Sequence, residues 1–177
     1  ARFWGDPHFE GGDGGFFDVQ GEPNKLYNLL TDKNLAYHGL FIPSKDPKRA
    51  PGVTLVGRTN LRLEGHGGIS MIVFEPRAGR AVLDGKPIPP SGTQTVDGGT
   101  TKMVGKDVET VTGEGYRIVQ HFIKGSDVWP DYINAEVYTG AKGVGSDGEM
   151  PGGLLGITFD EDDKRRDGKK GKGAQGE

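Results

Sequence analysis

Apolar positions along this chain fall in short runs, and helical spacing is almost absent. Most runs are β-branched or aromatic and are bounded by Gly, Pro, Asp or Asn, the pattern of strands joined by turns. Strands are expected at Gly15 to Val19, Leu26 to Thr31 and Ala36 to Ile42, and then at Thr54 to Val56, Asn60 to Leu63 and Ser70 to Glu75. Between these two groups, Ser44 to Pro51 carries three Lys/Arg and two Pro and reads as an exposed loop. Arg80 to Leu83 leads into Asp84-Gly85, a dipeptide suited to a tight hairpin, after which Pro87, Pro89 and Pro90 close the region. Later strands are expected at Thr101 to Val104, Val108 to Thr112, Tyr116 to Ile123 and Tyr132 to Tyr138. In Tyr116 to Ile123 the alternation is loose and marks no clean buried face.

So many short strands with frequent turns predict an all-β fold, a sandwich of two packed antiparallel sheets with long Gly-rich loops. Gly140 to Gly153 holds six Gly and reads as such a loop, and Leu154, Leu155, Ile157 and Phe159 form a last apolar patch. From Asp160 the chain is charged, then rich in Gly and Lys. The expected organisation is a β domain over residues 1–163 and a flexible tail or linker over 164–177.

Composition fits a lean core. Of 177 residues only 33% are hydrophobic, while 32 are Gly and 11 are Pro, a level that without a collagen-like period means many turns. The net charge of −3 gives no basic surface for nucleic acid. There is no Cys, which excludes disulfides, thiolate chemistry and Cys-type zinc sites. A secreted domain of this kind must be held by its core or by a metal. No run of about 18 apolar residues is present, so no span of a membrane is expected.

Two acidic clusters stand out. Gly5-Asp6-Pro7-His8-Phe9, Asp13-Gly14 and Asp18 put three carboxylates and an imidazole within 13 residues, interleaved with Gly. Oxygen donors in Gly-rich turns can converge on a hard cation; an Asp taken singly in such a turn more often caps the backbone. The second cluster is Asp160-Glu161-Asp162-Asp163, whose charges repel unless solvated or bound to a cation. It lacks the alternation and central Gly of an EF-hand loop. Asp147-Gly148-Glu149 is a weaker acidic turn.

The Asp6-Pro7 bond has chemistry of its own. The Asp side chain can attack its own main-chain carbonyl, forming a five-membered anhydride and expelling the proline nitrogen. His8 is near enough in sequence to donate the proton. Asp6, Pro7 and His8 are thus the candidate catalytic residues; the bland alternative is a turn fixed by Pro. His38, His66 and His121 have no ligand spacing and read as structural or surface residues. Gly11 to Gly15 lacks the Lys-Ser/Thr of a phosphate loop, and no nucleophile elbow or dinucleotide fingerprint occurs. Trp4, Phe9, Phe16 and Phe17 read as core packing.

The opening resembles the von Willebrand factor type D family, whose members often begin Gly-Asp-Pro-His-aromatic, then Asp-Gly and an aromatic strand ending in Gly. Here these are Gly5-Asp6-Pro7-His8-Phe9, Asp13-Gly14 and Phe16-Phe17-Asp18-Val19-Gln20-Gly21. Leu26-Tyr27-Asn28-Leu29-Leu30 follows where the family has Tyr-Val-Leu, and Leu83 to Pro89 resembles its mid-domain turn. Gly153-Leu154-Leu155-Gly156 resembles the family's Gly-Leu-Cys-Gly, with Leu155 at the Cys position. The absence of Cys resembles bacterial rather than animal versions.

The resemblance implies a secreted or cell-surface, calcium-binding module that contacts other proteins or neighbouring domains. It implicates Asp13 with Asp160, Asp162 and Asp163 as ligands of Ca²⁺. The segment Gly5-Asp6-Pro7-His8 is also similar to bacterial metal-inducible self-cleaving domains, and to certain mucin type D domains, that cut between Asp and Pro. That similarity implies Asp6-Pro7 as a scissile bond used once.

Overall fold

The computed structural model describes residues 1–139 and 151–159. Asp160, Asp162, Asp163, the tail over 164–177, Asp147-Gly148-Glu149 and most of the Gly140 to Gly153 stretch lie outside the described residues.

Alternation of inward apolar and outward polar residues builds the strands. The chain opens with three three-residue strands, β1 (Arg2–Trp4), β2 (His8–Glu10) and β3 (Phe16–Asp18). Six more follow: β4 (Leu26–Asp32), β5 (Leu35–Pro43), β6 (Thr54–Glu64), β7 (Ile69–Glu75), β8 (Arg80–Leu83) and β9 (Lys86–Pro87). The last five are β10 (Gln94–Val96), β11 (Gly99–Val104), β12 (Asp107–Thr112), β13 (Arg117–Ile123) and β14 (Tyr132–Tyr138). A single helical turn, α1 (Gly153–Gly156), precedes Phe159.

The fold is all-β, two antiparallel sheets packed face to face. β4 to β9 form a six-stranded meander in chain order. The other sheet has eight strands in the order β10-β11-β12-β13-β14-β1-β2-β3. The chain therefore starts in the larger sheet, crosses to build the smaller one, and returns to lay β14 beside β1. Main-chain bonds between Ala1 and Val137 seal that junction.

Each expected strand is present. Two of them, Thr54 to Val56 and Asn60 to Leu63, are halves of one long strand, β6, whose pairing with β5 carries a bulge between Leu40 and Phe41. β1, β2 and β10, and the two-residue β9 beyond the hairpin turn, are strands that the pattern did not name. Asp84-Gly85 makes the expected hairpin, with both residues at positive φ between paired Leu83 and Lys86. Pro87 lies on the edge strand β9, where its missing N–H is tolerated.

The core fills the space between the sheets. Phe3, Phe9 and Phe17 reach in from β1, β2 and β3, and meet Leu29, Leu30, Tyr37, Phe41, Leu61, Ile118, Ile133 and Leu155. A bulge in β4 between Asn28 and Leu30 allows the consecutive leucines Leu29 and Leu30 both to face inward. Tyr116, just before β13, and Ile118 and Gln120 on it are buried. The buried Gln120 side-chain oxygen accepts from the Tyr37 hydroxyl at 3.1 Å and from the Thr59 hydroxyl. Among the described residues no helix is long and apolar enough to cross a membrane.

Candidate functional site

The β1–β2 hairpin pairs Phe3 with Phe9 and Trp4 with His8, leaving Gly5-Asp6-Pro7 as its turn. Gly5 sits at φ +63, a left-handed conformation in which a side chain is strained. Its N–H donates to Asn134 Oδ1 at 3.0 Å, tying the turn to β14. Pro7 is buried. With Phe3, Phe9 and Phe17 inward, the pleat turns Trp4, His8 and Asp18 outward, where register sets Trp4 opposite His8 and His8 opposite Asp18.

His8 is held from both sides. Its Nδ1 lies 2.7 Å from Asp18 Oδ1 and its Nε2 lies 2.9 Å from Asp6 Oδ1. Two carboxylates on the two ring nitrogens favour a proton on each, the imidazolium form. The Asp18 hydrogen bond, with a smaller contribution from Asp6 and against a cost of burial, raises the His8 pKa above its ordinary value. The three side chains are 42–45% exposed, so water reaches them. The Trp4 ring packs 5.6 Å from the imidazole. Burial, and then the Asp6 carboxylate, hold the Tyr132 phenol above its usual value.

The segment after β3 closes over the same turn. Gln20 Nε2 donates to the Asp6 carbonyl oxygen at 2.6 Å, and the Val19 N–H donates to the Pro7 carbonyl at 3.3 Å. The other end of the Gln20 amide is fixed: its Oε1 accepts from the Thr54 N–H, at the start of β6, at 3.1 Å. The carbonyl of the Asp6-Pro7 peptide bond thus faces a donor anchored on the opposite sheet.

The other candidate lies at the β2–β3 loop, Gly11 to Gly15. Asp13 is exposed, and its Oδ1 accepts from the Gly15 N–H at 2.8 Å, an Asx cap of the expected kind. The loop docks on the segment after α1: Thr158 Oγ1 accepts from the Gly12 N–H at 2.7 Å, and the Thr158 carbonyl accepts from the Asp13 N–H at 3.0 Å. Gly12 lies flat on Phe159, because a Cβ there would stand 2.2 Å from Phe159 Cδ1. Thr158 is itself buried, and Leu155 anchors the segment in the core. A pair of main-chain bonds between Thr31 and Gly152 holds its start to β4.

Asp6, Pro7 and His8 are therefore brought together, and Asp18 and Gln20 join them. Asp13 belongs to the separate loop. Asp160, Asp162 and Asp163, which follow Phe159 in sequence, are outside the described residues. Among the described residues no group of three or more acidic or imidazole side chains converges on a metal-sized point; Asp6 and Asp18 meet opposite edges of His8.

Trp4 and Phe16 differ from expectation. They stand half-buried on the outer face, edge to face at 6.3 Å, with the Arg2 guanidinium 4.9 Å from the Trp4 ring, while Phe9 and Phe17 alone of that group enter the core. His121, read as structural or surface, bridges Asp107 at 2.9 Å and Glu136 at 3.7 Å on the same outer face. Sequence reasoning passed over Gln20. Its only signal is period-two spacing from Asp18, which extends the outward face of β3 by one step. Comparison with protein-family models and with curated proteins finds no match, so the functional reading rests on these geometries.

Proposed function

We propose that the protein is a calcium-binding module of the von Willebrand factor type D kind, a structural or interaction part of a secreted or cell-surface protein. The observation that carries this reading is the docking of the Asp13 loop on Thr158 and Phe159, the residues directly before the acidic run. The acidic run begins at the residue after Phe159 in sequence, so this contact ties the Asp13 loop to the segment that leads into it. Asp13, Asp160, Asp162 and Asp163 would hold the ion. The donors are hard carboxylate oxygens, which fit Ca²⁺. The ion would supply charge neutralisation and a cross-link between the N-terminal loop and the C-terminal segment.

The test is isothermal titration calorimetry. One Ca²⁺ should bind with Kd of about 10⁻⁴ to 10⁻³ M, the range of extracellular modules, and Asp13→Ala should lose that heat. Binding unchanged in Asp13→Ala would remove Asp13 from the site and with it this reading.

A second reading is favoured by the Asp6, His8 and Gln20 contacts: self-cleavage at Asp6-Pro7. The Asp6 carboxylate attacks its own carbonyl carbon, the C–N bond to Pro7 breaks, and the His8 imidazolium gives its proton to the departing nitrogen. Water then opens the anhydride, leaving Asp6 as a C-terminus and Pro7 as a new N-terminus. Mass spectrometry across pH and calcium concentration should show fragments 1–6 and 7–177, absent in Asp6→Ala. A chain intact under all these conditions sinks this reading and leaves calcium binding standing.

A further inference from the structure

We infer that Gln20 is an oxyanion donor for scission of the Asp6-Pro7 bond, held in place by the main chain of the opposite sheet. The inference rests on the self-cleavage reading and gives it a residue that the Gly-Asp-Pro-His segment does not contain.

When a carboxylate adds to an amide carbonyl, the carbonyl oxygen becomes an oxyanion. A donor aimed at that oxygen stabilises the developing charge and lowers the barrier, and the gain is greatest when the donor needs no reorganisation. Gln20 Nε2 is 2.6 Å from the Asp6 carbonyl oxygen. A free Gln side chain would spend most of its time elsewhere, since ordering it costs rotamer entropy. Here the Thr54 N–H holds Oε1 at 3.1 Å and Thr54 is buried. That bond fixes which end of the amide faces Asp6: Oε1 is engaged by a donor, so Nε2 is the end that faces the carbonyl. Val19 N–H on the Pro7 carbonyl, at 3.3 Å, holds the next peptide.

The step balances with the groups present and one water. The electron pair of an Asp6 side-chain oxygen forms the new C–O bond, and the carbonyl π pair moves to the oxygen facing Gln20. On collapse the C–N pair leaves with the Pro7 nitrogen, which takes a proton from His8. Water hydrolyses the anhydride and restores the Asp6 side-chain carboxyl. Gln20 neither gains nor loses a proton; it donates a hydrogen bond that shortens as negative charge develops.

The experiment measures first-order rate constants for appearance of fragment 7–177, by mass spectrometry on the full chain, for wild type and two variants. Gln20→Leu should slow cleavage by on the order of 10²-fold, the usual effect of losing one oxyanion donor. Gln20→Glu keeps the acceptor for the Thr54 N–H but sets a carboxylate against the Asp6 carbonyl. Its rate relative to wild type should be lowest near neutral pH and should recover as pH falls through about 4.3, where a glutamic acid regains an O–H donor. A merely structural role for Gln20 would not produce that recovery. Isotope-edited infrared spectra supply a reading independent of turnover: the Asp6 carbonyl band should move to higher frequency in Gln20→Leu. Wild-type rates in Gln20→Leu, or a pH-independent ratio for Gln20→Glu, would overturn the inference while leaving self-cleavage intact. An uncleaved wild type would overturn both.

Discussion

His8 gains proton affinity on folding because Asp18, and secondarily Asp6, favour its charged form. Its contribution to stability is complete below the unfolded value of about 6.5 and fades as pH rises through the raised folded value. The side chain is 42% exposed, so the effect belongs with surface ion pairs, about 0–1 kcal/mol. An NMR titration of the imidazole should give a midpoint above 6.5, and Asp18→Asn should lower it. A midpoint that Asp18→Asn leaves unmoved would contradict the arrangement. At this scale the sequence was informative about identity and poor about partnership. Gly-Asp-Pro-His announced itself, whereas Asp18 and Gln20 acquire meaning only when β3 turns back beside β2, and Gln20 only when β6 of the other sheet brings its Thr54 N–H. Trp4 and Phe16 misled because aromatic character does not report facing; the pleat does.

The element that matters most is the loop between β2 and β3, with the segment 151–159 that receives it. Thr158 accepts the Gly12 N–H and donates its hydroxyl to the Leu155 carbonyl at 2.6 Å, so Thr158→Val should cost about 1–3 kcal/mol for two lost hydrogen bonds. Gly12→Ala, which drives a methyl into the Phe159 ring, should cost a similar 1–3 kcal/mol by overpacking. Chemical denaturation checks both, and each variant should also bind Ca²⁺ more weakly, because the two halves of the site would no longer be held in register. Full stability in Gly12→Ala would mean that the loop does not sit on Phe159. The longer strands were legible because period-two alternation survives over seven to eleven residues. β1, β2 and β10, at three residues each, offer only one or two alternations and cannot be told from loop. β6 looked like two strands because Gly57 and Arg58 interrupt its apolar pattern where the bulge in its pairing with β5 falls.

For the whole molecule, the sandwich was readable from composition and turn spacing, and its topology was not. The pairing of β1 with β14 joins Arg2 to Glu136, a register that no local pattern encodes. That pairing, and the Thr158 contact with the β2–β3 loop, bring both ends of the described chain to the N-terminal hairpins. On the proposed reading, a chain without Cys whose described ends meet at one place would gain from a cation there what disulfides supply elsewhere: a link between distant segments that stabilises the folded state by its binding free energy. For Kd of 10⁻⁴ to 10⁻³ M, 10 mM Ca²⁺ contributes about 1.4–2.7 kcal/mol, or roughly 3–11 °C in melting temperature for a chain of this size.

The most direct test is a thermal melt of wild type and Asp13→Ala, each in EDTA and in 10 mM Ca²⁺. The account predicts a higher melting temperature with Ca²⁺ for wild type, by the amount above, and no calcium effect for Asp13→Ala. A wild-type melt that is the same in both conditions, or an equal calcium shift in Asp13→Ala, would contradict it.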